Sequence, residues 1–421
     1  MFKSKISKDN LWTQYFLGLL LLSFYYLSYR YPLKFNSSDT SFSYSDTPPI
    51  FQAGKYAVFA GISYIFFALL INFKDKTMLS KGITKNKWVE IFLAIYIFTI
   101  SISSFLVSKN DYVLQTGIFF STLILFYLYP YQNLNYKKIV VCIRIFIYLS
   151  IITEAYQLFN YYFNDRLPAL GYPNSISVRF GSIWDDPNAF AMIVSFLLAF
   201  IIKDNVSKVT KIILTCSMLT VLFYTLSLTG IGAFLLSFPL GYIILFLTDN
   251  KIIYLRKLLK IILYAILIII IYKFIVEPST FFQEYMSSKQ DSIAARKSGF
   301  SYFNEFGSML GLNTNPLGKY SETSYINLLL NFGIFYLIAY IFICFTSIYR
   351  LAKIIKVYKE HVYIQIFYAA FFFMITFMLG MANSPLDTVF PLNLMLVICI
   401  ILSYTKNLPN SITKKPKNIL T

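Results

Sequence analysis

The chain has one histidine and four cysteines in 421 residues, and only 13% of its residues are charged. So little charge excludes an ordinary soluble domain, in which about a quarter of residues are Asp, Glu, Lys or Arg. Cys142, Cys216, Cys344 and Cys399 are widely spaced and all lie inside apolar runs. That pattern excludes a disulfide framework and a zinc site made of paired thiolates. The lone histidine, His361, falls in a short cationic stretch and reads as a solvated residue or one touching lipid headgroups. Nucleotide-binding signatures are missing as well. Neither G-x-x-x-x-G-K-[ST] nor a helix-opening G-x-G-x-x-G occurs, which argues against ATP-driven chemistry. The first apolar run is long, with no A-x-A-like site after it, and so reads as a membrane helix rather than a cleaved signal.

What is abundant is apolar sequence. Hydrophobic residues make up 57% of the chain and come in blocks of 15–25, separated by short Lys-rich stretches. A bilayer core takes about 20 apolar residues per helix. The expectation is an all-α polytopic membrane protein, a single integral membrane domain over 1–421. About twelve transmembrane helices are expected, at 11–29, 56–72, 88–107, 113–130, 139–158, 188–202, 212–228, 231–247, 261–277, 325–349, 363–383 and 388–404. The net charge of +18 could suggest a nucleic-acid partner, but its distribution does not. With the N-terminus placed in the cytoplasm, the inner loops hold 25 Lys and Arg and the outer loops 10. That bias follows the positive-inside rule, puts both termini in the cytoplasm, and leaves the basic charge to set orientation and to meet anionic lipids.

In this topology four of the outer segments could carry a function: 30–55, 159–187, 278–324 and the very short 384–387. The fragment "TGIGAF" at 229–234 is read as a tight outer turn between two spans. Segment 278–324 forms one large extracytoplasmic loop, and loops this long are usually functional or disordered. The two halves of the chain show no matching Gly/Pro interruptions, which weighs against a transporter built on inverted repeats.

The stretch "SVRFGSIWDDPNAFAMIVSFLLAF" at 177–200 packs charge at the mouth of an apolar run. Part of this is ordinary helix chemistry. Asp186 can cap a helix, Pro187 suits its first turn, and carboxylates favour the positive end of the dipole. Arg179 is not explained that way, nor by the positive-inside rule. Arg296, in "DSIAARKSGF", is a second outward arginine on a separate segment. Each can be a plain surface residue, or the two can converge on one anion. A guanidinium grips phosphate oxygens in a bidentate fork, so a lipid-linked diphosphate is a natural target.

These residues resemble the O-antigen ligase/polymerase superfamily, the Wzy and WaaL proteins. The segment "RFGSIWDDPNAFA" at 179–191 is similar to the family's arginine–glycine–Pro-Asn signature through Arg179, Gly181, Pro187, Asn188 and Ala191. "SETSYINLLLNFGIFYL" at 321–337 resembles the segment that closes the family's large outer loop, with Arg296 at the place of a loop arginine. Where the ligases carry a histidine, this chain has Glu322, which favours a polymerase. The resemblance implies a GT-C-like, metal-independent glycosyltransferase in the bacterial inner membrane. It would move a growing glycan from undecaprenyl pyrophosphate onto the terminal sugar of a new lipid-linked repeat unit. A chain-length regulator and a flippase would be its partners. No cofactor is implied. Arg179, Arg296 and Asn188 would bind the pyrophosphate, and Glu322, Asp185 and Asp186 are the candidate bases. A ligase passing glycan to a lipid core or protein, and a lipid-linked oligosaccharide flippase, remain alternatives.

Three features fall inside spans. Glu154 near the outer end of the fifth span is a functional suspect by default; the plainer expectation is a polar partner or snorkelling to the interface. Arg144, near the inner end of the same span, is expected to snorkel. Lys273 and Glu277 can form a helical ion pair.

Overall fold

A computed structural model describes residues 136–164, 187–249, 323–359, 361–383 and 390–404. It also describes Phe180, Ser182 and scattered positions within 92–100, 254–259 and 279–294. Among the described residues all regular structure is helical. The helices are α1 (Tyr136–Asn164), α2 (Pro187–Lys203), α3 (Lys208–Tyr224), α4 (Leu228–Asp249), α5 (Ser324–Phe332), α6 (Ile334–Val357), α7 (Ile364–Gly380) and α8 (Phe390–Leu402). Ile139–Phe163, Leu228–Asp249 and Ile334–Val357 are long and apolar enough to cross a membrane, whereas α2 and α7 are shorter apolar helices. The spans expected at 11–29, 56–72, 113–130 and 261–277 lie outside the described residues, and of that at 88–107 only scattered helical positions within 92–100 are described.

The core is built on α2 and α7. Helix α7 is apolar nearly all round, and almost every side chain from Ile364 to Phe377 is buried. Helix α2 is buried from Ala189 to Ile201. A helix with no polar face must be surrounded by other helices, and α7 packs on α2, α4 and α6 while α2 also meets α3 and α4. The outer faces of α3 and α4 remain apolar. Ile212, Ile213, Leu219, Phe223, Leu235, Leu236, Leu240 and Leu247 are exposed, as lipid-facing residues would be.

Small residues set the close contacts. A Cβ added at Gly230 would collide with the Cβ of Ala191, so α4 meets α2 backbone to side chain there. Farther along, Gly241 receives the Phe372 ring, and Phe238 stacks on that ring with centroids 4.7 Å apart. The fragment 229–234, expected as a turn, is instead the first part of α4. The turn is three residues earlier, because the Ser227 hydroxyl accepts from the Gly230 N–H at 2.9 Å and caps the helix.

One expected span is divided. The run 325–349 reads as a single apolar helix, but the chain breaks at Gly333, with φ 84° and ψ 173°. Only glycine tolerates that conformation well. The Phe332 and Tyr336 rings stack across the break at 4.3 Å. The Gly333 N–H still donates to Leu329 O at 2.8 Å, closing α5 before α6 begins.

The helices define two ends. At one, Lys203 Nζ lies 4.5 Å from the Tyr368 ring, Lys356 Nζ donates to Thr248 O at 2.7 Å, and Tyr136 stacks on Tyr363 at 5.6 Å. Arg144 does not simply snorkel. Its guanidinium grips Asp204 bidentately, Nε to Oδ2 at 2.9 Å and Nη2 to Oδ1 at 2.7 Å. Asp204 is buried, and a buried carboxylate needs such a partner. His361 belongs to this end and is half-buried rather than freely solvated. Its Nδ1 accepts from the Tyr363 N–H at 3.2 Å, and its ring lies against Tyr358 and Tyr363. Among the described residues, the lysine-bearing segments 203–211 and 350–359 therefore lie at one end, and Asn188 lies at the other.

Candidate functional site

The end opposite the lysines is organised by Phe180, Ser182 and the first turn of α2. Pro187 opens α2, where its missing N–H costs nothing. The next residue, Asn188, accepts through Oδ1 from the Ser227 hydroxyl at 2.8 Å. Ser227 in turn caps α4, so one hydrogen-bond chain links the starts of α2 and α4. With Gly230 against Ala191, the two helices begin side by side, and both present the positive ends of their dipoles.

The chain upstream of α2 is pinned to the neighbouring helices. Phe180 donates its N–H to Tyr224 O at 3.0 Å. Its ring meets Tyr161 and Tyr224 edge-on at 5.6 and 5.8 Å. Ser182 is a non-glycine residue at φ 51°. Three hydrogen bonds hold it on α1: its N–H to Gln157 Oε1 at 3.2 Å, its carbonyl from Gln157 Nε2 at 2.8 Å, and its hydroxyl to Ser150 O at 2.8 Å. Left-handed backbone at serine costs energy, and these bonds supply the compensation.

Glu154 lies on the same face of α1 as Ser150 and Gln157. It is 2% exposed, and neither carboxyl oxygen has a hydrogen-bond partner. It therefore neither snorkels nor finds the polar partner expected of it.

The start of α5 comes to this end as well. The Ser324 N–H donates to Met381 O at 3.0 Å, and the Tyr325 hydroxyl to Met378 O at 2.6 Å. Because α7 runs antiparallel to α2, its last turn lies beside the first turn of α2. Thr323 occupies the cap position of α5, but its side chain makes no capping bond. The described parts of the two segments singled out in the sequence, Phe180, Ser182 and 187–191 of one and 323–325 of the other, are thus anchored at one end of the bundle. Of the individual residues, Asn188, Pro187 and Ala191 are described: Pro187 opens α2, and Asn188 and Ala191 hold it against α4. Arg179, Gly181, Asp185, Asp186, Arg296 and Glu322 lie outside the described residues, as do Lys273 and Glu277. The sequence signal missed Gln157, Ser182 and Ser227. Each is an ordinary polar residue whose role comes from a partner 25 to 39 positions away.

Compared with known proteins, the chain matches no family model and no curated protein.

Proposed function

We propose that this chain is a membrane-embedded polysaccharide polymerase. It transfers a growing glycan from undecaprenyl pyrophosphate to the terminal sugar of a new lipid-linked repeat unit, on the outer face of a bacterial inner membrane. The reading includes the full topology of about twelve spans with both termini cytoplasmic, the large outer loop at 278–324, and a GT-C-like architecture. The single observation that supports it is the pairing of the starts of α2 and α4 through Asn188 and Ser227, just after the described residues Phe180 and Ser182 of the same sequence stretch. Helix starts favour anionic ligands, and the stretch resembles the Wzy/WaaL signature.

The chemistry asks for three things. A hydroxyl of the acceptor sugar gives its proton to a carboxylate, for which Glu322, Asp185 and Asp186 are the candidates. Its oxygen forms a bond to the anomeric carbon of the donor. The bond from that carbon to the pyrophosphate oxygen breaks, and the leaving group carries away the electron pair. Arg179 and Arg296, with Asn188 nearby, would offset the charge that builds on the pyrophosphate. The large loop would hold donor and acceptor together. A flippase supplies the repeat units and a chain-length regulator sets when elongation stops.

The test is the glycan profile of a strain carrying a deletion of this chain, complemented with wild type. Single repeats left on the final acceptor support the polymerase. Long chains remaining on the lipid carrier would make it a ligase, and loss of all external glycan would make it a flippase.

A further inference from the structure

Glu154 stands apart from every other described acid. Asp204 is gripped by Arg144, and Asp249 lies 3.8 Å from Lys356 Nζ. Glu154 is as deeply buried, yet both of its oxygens lack a donor. A buried acceptor left unmade costs the full desolvation of the group, so a protein that keeps one gains by it elsewhere. The surroundings show where. Ser150, Thr153, Glu154 and Gln157 form a polar stripe on α1, and the first three are buried. The strained residue Ser182 is fastened at both ends of this stripe, to Ser150 on one side of Glu154 and to Gln157 on the other. Strained residues of this kind recur at ligand clamps and switches. Phe180 closes the flank by its bond to Tyr224.

We infer that Glu154 is the floor of a subsite for sugar hydroxyls of the acceptor, covered in the resting protein by Phe180 and Ser182. Hydroxyl groups bring the donors the carboxyl lacks, and the Ser150 carbonyl and the Gln157 amide released from Ser182 supply two further acceptors and a donor. When the cover lifts, the strain at Ser182 is relieved and offsets part of the cost of breaking its three bonds. Glu154 acts here as a positioning residue for the acceptor, which makes this inference rest on the polymerase reading. The cover itself does not.

Two measurements separate the parts. In the first, purified wild-type protein is treated at slightly acidic pH with dicyclohexylcarbodiimide. This apolar reagent adds a carboxyl O–H across its C=N bond, and the adducts are mapped by mass spectrometry. Gln157→Ala and Ser182→Ala should each raise modification of Glu154 by about fivefold, the shift that loss of a net hydrogen bond brings. Equal modification in wild type and both variants, or none in any, overturns the cover. In the second, purified protein elongates lipid-linked repeat units, with Glu154→Gln at matched membrane yield. Acceptor KM should rise about tenfold with a smaller change in kcat, because an interaction made in ground and transition states is weakened. Unchanged acceptor KM overturns the subsite. If wild type elongates nothing, the polymerase reading fails and with it the sugar subsite, while the carbodiimide result still decides the cover. If Glu154→Gln does not accumulate, Glu154→Asp takes its place, with the same KM rise expected and an unchanged KM overturning the subsite.

Discussion

At the lysine-rich end, Asp204 is buried with its side chain 3% exposed and receives both nitrogens of a bidentate guanidinium. At the other end, Glu154 is 2% exposed and receives nothing. The backbone differs in the same sense. The lysine end is closed by well-made turns, such as the Ser207 side chain accepting from the Thr210 N–H at 3.1 Å. The opposite end holds two non-glycine residues at positive φ, Ser182 and Leu226. At one end both buried acids have a cationic partner; at the other the buried acid has none and strained backbone lies beside it. A fold can afford such defects where a ligand or a conformational change will relieve them, and this contrast is what marks the Asn188 end as the candidate site.

The contrast can be broken or sharpened by substitution. The largest effect is expected at Glu322. As a general base, Glu322→Gln should lower elongation by about 10²–10⁴-fold; near-normal elongation by purified protein would leave Glu322 as a helix-end charge. Next come the two arginines. Arg179→Lys and Arg296→Lys keep the charge but lose the fork. Each should cost about 10²-fold in kcat, the scale of one lost donor at a developing anion. Full activity of both the Lys and Ala variants at either position would make that arginine a surface residue.

Smaller effects should appear in stability. Gly230→Ala places a Cβ against Ala191, and overpacking of this kind costs about 1–3 kcal/mol. Thermal unfolding in detergent should show the loss, and pairing it with Ala191→Gly should recover part of it. Arg144→Ala strands Asp204 and should cost about 1–2 kcal/mol, below the value for a fully buried pair because the arginine is 38% exposed. The smallest effect is expected for Lys356→Ala. Its side chain is 45% exposed and its contact with Asp249 is 3.8 Å, so the change should stay under about 1 kcal/mol. A larger loss for Lys356 than for Arg144 would undo the ranking of the two pairs.

Within the described residues, the helices follow the apolar runs closely. The expected span 188–202 is Pro187–Lys203, 363–383 is Ile364–Gly380, and 388–404 is Phe390–Leu402. Run length is enough for this because a chain in an apolar medium must satisfy its backbone internally, and a single helix does so. The break at Gly333 was not legible, since one glycine in an apolar run is compatible with helix as well as with φ 84°. Nor was the Arg144–Asp204 grip, which joins residues 60 positions apart.

Composition and the spacing of its apolar blocks thus determined that this chain is helical and suited to a membrane, and the Pro-Asn pair at 187–188 determined where α2 begins. Those are local properties, set by hydrophobic length and by which residues can start a helix. Tertiary structure alone decided which acid is paired and which is left bare, that Ser227 rather than a turn at 229–234 meets Asn188, and that Ser182 is bent over Glu154. Each depends on helices distant in sequence arriving at one end of the bundle, and side-chain fit at such a junction is a property of the packed whole.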